Sequence, residues 1–165
     1  MEETAYLVLR DADPVVLQVR GRANYQNCLS VREFFHERLQ AGRRLFVVDL
    51  KECRGMDSTF LGILAGLANN LKINGGSLTL SRPGDGLVTV IRHLGLDRLA
   101  RIAENFELQK NPSEKLENAK MNEFEQAKLV LEAHENLMKT SPDTAPNFQD
   151  VVEFLREHIS KENAK

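Results

Sequence analysis

The chain has 165 residues, 42% hydrophobic and 28% charged, enough for one domain with a real core or for a small domain carrying an appended element. Its 22 Lys/Arg against 24 Asp/Glu give a formal net charge of −2, too small a bias for nucleic acid as the main partner. No apolar run approaches the roughly 18 residues a spanning helix needs, and "MEETAYLVLRDADP" has acids where a signal peptide has bases, so a cytoplasmic protein with no membrane insertion is expected.

The opening runs "AYLVLRD" and "PVVLQVRG" are rich in β-formers and separated by "DADP", in which Pro14 pre-sets a bend. They predict a hairpin of Tyr6 to Arg10 and Val15 to Arg20. A polar loop, "RANYQN", leads into "CLSVREFFHERLQAG", where Val31, Phe34, Phe35 and Leu39 recur at helical spacing and Gly42 supplies a stop. "RRLFVVDL" is a continuous apolar run of strand length, as a strand covered on both faces should be. From Phe60 to Ile73 the chain is apolar on nearly every side, which predicts a largely buried helix closed by Gly75 and Gly76. "SLTLS" then gives another strand. Residues 44 to 81 thus form a β-α-β unit with parallel strands and a right-handed crossover.

Asp85 is expected to cap a third helix carrying Leu87, Val88, Val90, Ile91 and Leu94, stopped at Gly95. "LDRLARIAENF" is open between a loop and a short edge strand near Arg101 to Ala103. The polar stretch "ELQKNPSEKLENAKMNEF" reads as a linker or a weak helix start. Beyond it Phe124, Ala127, Leu131, His134 and Met138 follow a helical spacing, with Val130 and Leu137 on a second face. After the breaker "TSPDTAPN", a last helix capped by Asn147 places Phe148, Val151, Val152, Leu155 and Ile159 on one stripe. The tail is therefore a helical hairpin, and it must bury its stripes against the body, itself or a second copy of the chain. Residues 1 to 110 carry 15 Lys/Arg and 13 Asp/Glu, whereas 111 to 165 carry 7 and 11, so the tail is acidic.

Cys28 and Cys53 are too few and too far apart for a disulfide framework or a zinc site, and free thiols, buried or half-buried, are expected. The four histidines, His36, His93, His134 and His158, are scattered. "EAHE", Glu132 to Glu135, is the nearest approach to a metal motif, yet a lone His in an apolar stripe is more often packed than a ligand. No metal and no cofactor are expected. Arg43, Arg44, Lys51 and Arg54 bracket the central strand as solvated ends that could also attract an acidic partner. Asp49, at the end of that strand, reads as an acid bonding loop amides.

The order of these elements, with the block "LFVVDL", "KECRG" and "MDSTFLGILAGL" and the later "IRHLGLDRL", resembles the STAS domains, the anti-sigma factor antagonists of bacterial signalling. The resemblance spans roughly residues 4 to 107. It implies an α/β fold in which a mixed sheet is backed by helices, as a domain of residues 1 to 110, with residues 111 to 165 as a linker and C-terminal helical hairpin. It also implies a partner-switching, non-enzymatic phosphoprotein of transcription regulation. In the family the Ser after the Asp of this block is phosphorylated by an anti-sigma serine kinase of the GHKL type and dephosphorylated by a PP2C-type phosphatase, and only the unmodified form captures the kinase. By position the acceptor is Ser58, with Thr59 as the alternative, and the partner-binding set is Asn24, Asp57, Ser58 and Thr59, with Phe60 and Leu61 anchoring the helix behind them. Other STAS proteins are non-switching subunits of signalling scaffolds or of lipid-transport ABC permeases. In that alternative the hairpin is the docking element, and it could also form a homodimer.

Three features depart from the family pattern. Phe60 stands two residues after the acceptor, where many members have Gly; Asn24 stands where the loop often carries an acid; and the acidic hairpin is additional. Read from the residues alone, "MDST" has two meanings. Asp57 or Ser58 could simply be the N-cap of the apolar helix, worth ~1 kcal/mol. Alternatively a phosphate of about −1.5 to −2 charges on Ser58, beside Asp57 and in the field of a helix N-terminus, would veto an interface centred there. An enzyme using Ser58 as nucleophile would need a base within hydrogen-bond reach, and no histidine has an obvious route to it.

Overall fold

The computed structural model describes residues 3–164. Its elements run β1 (Ala5–Leu9), β2 (Val15–Ala23), α1 (Leu29–Gln40), β3 (Leu45–Asp49), β4 (Cys53–Met56), α2 (Ser58–Ile73), β5 (Ser77–Ser81), α3 (Asp85–His93), a 3-10 turn (Leu96–Arg98), β6 (Arg101–Ala103), β7 (Glu114–Lys115), α4 (Glu123–Thr140) and α5 (Pro146–Asn163). The sheet has the order β6-β5-β3-β2-β1-β7, with β4 pairing the end of β2. β1 pairs antiparallel with β2 and β7, while β2, β3, β5 and β6 run parallel to one another, so the sheet is mixed, as the resemblance implies.

The hairpin, the three body helices and the parallel β3–β5 pair follow the sequence pattern closely. Phe46, Val47 and Val48 are all at most 3% exposed, which is what a continuous apolar run requires. Val31, Phe34 and Phe35 of α1 and Phe60, Leu61, Leu64, Leu67 and Leu71 of α2 join Val15, Leu17, Phe46, Val48, Leu78 and Leu80 of the sheet in one core. Each fully buried side chain of this size contributes roughly 1.5–3 kcal/mol. Arg101–Ala103 is the edge strand left open by the pattern, paired with β5.

Several expectations are corrected. Asp85 is inside the first turn of α3, and Gly84 is the N-cap, without a side-chain bond. Asn147 does not cap α5: Ala145 holds that place and Pro146 begins the helix, a position where its missing N–H costs nothing. Val151 is 41% exposed, so the buried stripe of α5 is narrower than the pattern suggests. In α4 the most deeply buried residues are Leu129, Ala133, His134 and Leu137, a face rotated from the one expected. The polar linker is neither loop nor helix start throughout, because Glu114–Lys115 forms β7 on the outer edge of β1. There Arg10 grips Glu114 through Nη2–Oε2 at 2.7 Å and also pairs with Glu37 at 2.8 Å.

Asp49 ends β3 completely buried. Its carboxylate accepts from Gln18 Nε2 (3.0 Å), from Arg82 Nη2 (3.0 Å) and Nε (3.3 Å), and from the Lys51 amide at 3.4 Å, so it bonds a loop amide as expected and a charged partner besides. Arg82 holds this pose with φ 53, in the left-handed region where a non-glycine residue costs roughly 1–2 kcal/mol. The ion pair offsets that cost, since removing one partner of a buried pair leaves an uncompensated charge.

Arg82→Ala should therefore destabilise the fold by about 3 kcal/mol, read as a lower urea midpoint at unchanged slope. The Arg10 guanidinium holds the Glu114 carboxyl below its ordinary range, so this pair's contribution is present above the unfolded carboxylate pKa and lost as pH falls through the folded one. Glu114 is half exposed, so Glu114→Gln should flatten only a small part of the acid limb, and less so in high salt.

Candidate functional site

The turn between β4 and α2 carries the "MDST" block. β4 lies parallel to the end of β2, and the Asp57 amide donates to the Ala23 carbonyl at 3.1 Å, which fixes the chain as it enters the helix. Asp57 is extended (φ −89, ψ 176), and its Oδ1 accepts from the Phe60 amide at 2.9 Å, the geometry of an N-cap. Its Oδ2 accepts from the Tyr25 amide at 2.8 Å. Both carboxylate oxygens are thus occupied, one holding α2 and the other holding the loop after β2.

That loop is ordered by a residue without a sequence signature. Asn27 Oδ1 accepts from the Tyr6 hydroxyl (2.5 Å) and from the Asn24 amide (3.0 Å), while its Nδ2 donates to the Arg22 carbonyl at 2.9 Å. Tyr6 stacks on Phe60 with ring centroids 6.1 Å apart, and Phe60 and Leu61 are at most 2% exposed, the anchoring role expected of them. The bulk of Phe60 is turned inward, away from the entrance to Ser58. Asn24 is half-buried and spends its Oδ1 on the Gln26 amide at 2.9 Å, so it shapes its own loop.

Ser58 is the first residue of α2 and half-buried, while Thr59 is 3% exposed. Because Asp57 does the capping, the Ser58 hydroxyl is free for another partner, and it has one. Ser58 Oγ lies 3.0 Å from Nε2 of His134, on α4. The other ring nitrogen, Nδ1, is 2.7 Å from the Val130 carbonyl, which can only accept. In the neutral imidazole the proton therefore sits on Nδ1, and Nε2 accepts from the Ser58 hydroxyl. The expectation that no histidine has a route to Ser58 is overturned. His134 is 6% exposed, and its ring meets Phe148 of α5 edge to face at 5.4 Å. The two helices of the hairpin thus stand behind one hydroxyl.

The pairing does not make a nucleophile of the usual kind. His134 leans on a backbone carbonyl instead of a carboxylate. Glu132 and Glu135 of "EAHE" are engaged by Arg32 (Nη2–Oε1, 3.0 Å) and Arg156 (2.9 Å) respectively. Among the described residues no group of His, Cys, Asp and Glu could hold a metal ion, and no helix is long and apolar enough to cross a membrane.

The sequence model described as "Mlab, STAS domain" matches residues 7–103. The chain belongs to the STAS family. The match runs from within β1 to the end of β6 and stops before β7, α4 and α5. The anti-sigma factor antagonist SpoIIAA in its unphosphorylated form superposes with a TM-score of 0.54 at 15% identity, covering 62% of this chain and 90% of that one. A Thermotoga maritima protein described as a candidate anti-sigma factor antagonist gives a TM-score of 0.52 at 20% identity, covering 61% and 86%. At these identities the likeness is one of fold. None of the curated sequences compared with the chain matches it.

Within the STAS domain both thiols are free, as expected: Cys28 is buried at the start of α1 and Cys53 half-buried in β4. Burial, with a smaller contribution from the Asp57 carboxylate, pushes the Cys28 thiol up to about 12, and burial raises Cys53 as well. At pH 8 a disulfide reagent should label native Cys53 slowly and leave Cys28 untouched until denaturant is added, as judged by peptide mass spectrometry. Replacing His134 with Ala deletes the acceptor of Ser58 and the packing on Phe148, and should cost about 2 kcal/mol in chemical denaturation.

Proposed function

We propose that this STAS protein is an anti-sigma factor antagonist of the partner-switching kind, acting in the cytoplasm as a non-catalytic binding protein. In this reading residues 1 to 110 are the switching domain and residues 111 to 165 its appended hairpin. Ser58 is the acceptor: an anti-sigma serine kinase of the GHKL type transfers the terminal phosphoryl group of ATP to Oγ. The new O–P bond forms as the bond to the leaving ADP breaks, and the hydroxyl proton goes to a base of the kinase. A PP2C-type phosphatase returns Ser58 and inorganic phosphate by hydrolysis. Unmodified protein binds the kinase through the surface around Asp57 and Ser58, and the phosphorylated form releases it.

The observation that carries this reading is the division of labour between Asp57 and Ser58. Asp57 spends both oxygens on backbone amides, so modification of Ser58 need not uncap α2 or unfold anything. A phosphate there would lie at a helix N-terminus, which favours an anion locally, yet beside a carboxylate whose repulsion opposes closing any acidic or apolar partner over it. Leaving such a dianion in an interface that cannot pair it costs several kcal/mol, and each ~1.4 kcal/mol is tenfold in affinity. Ser58 is preferred to Thr59 because the latter is buried. Asn24 contributes by shaping the loop beside Asp57.

The test is mass spectrometry of the protein recovered from its own cells, wild type against Ser58→Ala, followed by affinity capture with wild type and Ser58→Asp. A phosphate on Ser58 that vanishes in the Ala variant, and a kinase-fold partner lost at least tenfold in the Asp variant, are expected. Protein free of phosphate under all growth conditions, with identical partners on both baits, would sink the switch.

A further inference from the structure

α2 has two unlike sides. Its inner side is Phe60, Leu61, Leu64, Leu67 and Leu71, sealed against the core. Its outer side, read at spacings of four, four and three, is Ser58, Gly62, Gly66 and Asn69, and α4 lies along it. The backbones come close there. A Cβ on Gly62 would collide with the Ala133 carbonyl, and one on Gly66 would stand 2.5 Å from Asn136 Nδ2. The seat is polar along its length: Ser58 to His134, Asn136 Nδ2 to the Gly62 carbonyl at 3.1 Å, and Asn69 Nδ2 to Thr140 Oγ1 at 3.3 Å.

A permanent helix contact is normally apolar, like a core cut in half. This one presents a hydroxyl, two glycines and an amide on the α2 side, groups equally at ease in water, while α4 brings Leu129, Ala133 and Leu137 to the contact, the two leucines reaching the core. Toward α1 the contact is looser still: Arg32 and Glu132 pair while 38% and 46% exposed, and clefts lined by Leu29, Leu129, His36 and Asn70 run along α4. Such an exposed pair adds little.

We infer that the outer side of α2 is a helix-docking surface and that α4 is its resident occupant, a built-in gate over Ser58. The gate competes with a partner for one place: a partner that binds the unmodified protein must displace α4, whereas a phosphate on Ser58 both loosens α4 and bars the partner by its charge. A helix that replaces α4 must carry Gly, Ala or Ser over Gly62, as α4 carries Ala133, and a polar side chain able to meet Ser58. The coupling runs both ways. Closed α4 occupies the Ser58 hydroxyl with His134 at 3.0 Å, and a phosphate on Oγ has no room within that contact, so it loosens α4. This rests on the reading of Ser58 as the regulated group.

Hydrogen exchange by mass spectrometry on the full chain tests it, comparing wild type, Ser58→Asp and Gly62→Ala. Amides of residues 123–140 should exchange at least tenfold faster in both variants, with the sheet segments 45–49 and 77–81 within twofold of wild type. Unchanged protection of α4 in both would overturn the gate. Acceleration of the sheet equal to that of α4 would do so too, because α4 would then be an integral part of the fold. Opening in Gly62→Ala but not in Ser58→Asp would overturn the coupling to Ser58. The experiment requires no kinase: absence of phosphate on Ser58 in cells sinks the switch and leaves this result standing, whereas phosphate found on Ser58 with α4 still closed sinks the gate alone.

Discussion

Everything in this molecule is arranged around a helix that has to satisfy two neighbours of opposite character. The inner side of α2 must be large and apolar to complete the core, and its outer side must be nearly flat to admit α4. Gly62 carries the second requirement. Helix axes come this close only where a side chain is missing, and close approach is what brings Asn136 to the Gly62 carbonyl and His134 to Ser58. A single β-carbon would separate the elements that give the tail its seat.

The N-terminus of α2 shows how one short motif can carry two duties without conflict. Asp57 ties the helix start to the loop after β2, and Asn27 with Tyr6 ties that loop to the sheet. The hydroxyl of Ser58 is then relieved of capping and meets His134 instead. A hydrophobic anchor directly behind it, Phe60 stacked on Tyr6, ties the turn to the core.

Much of the STAS fold was legible because its elements have strong periods and clear stops. The strand "LFVVD", the helix that Gly42 ends and the helix that Gly75 ends all declare themselves. Strands β4 and β7 did not. "CRGM" contains a glycine and an arginine and is only part-buried, and "EK" is two charged residues whose strand character comes entirely from the edge of β1. The rotated face of α4 has a different cause: a helix packed on α2 on one side and α5 on another presents two overlapping stripes, and periodicity cannot say which is deeper. Asp57, Ser58 and Thr59 are candidates by their position in a family motif. His134 is not, because its partner is 76 residues away and only the docking of α4 joins them. Its place in the stripe of Phe124, Ala127, Leu131 and Met138 is the one hint, and it points to packing.

The small strand β7 has a consequence for the tail. By fastening Glu114 and Lys115 to β1, and Leu116 through its amide to the Tyr6 carbonyl, it shortens the leash on α4 to the few residues before Glu123. Fully extended, such a leash spans only about 25 Å. A released α4 would therefore remain near its seat at an effective concentration on the order of millimolar, and its return would be a unimolecular event independent of protein abundance. Any free competitor for the same seat has to win against that local excess, so the affinity at which the surface responds to an outside helix is set by the length of a tether pinned to the far edge of the sheet.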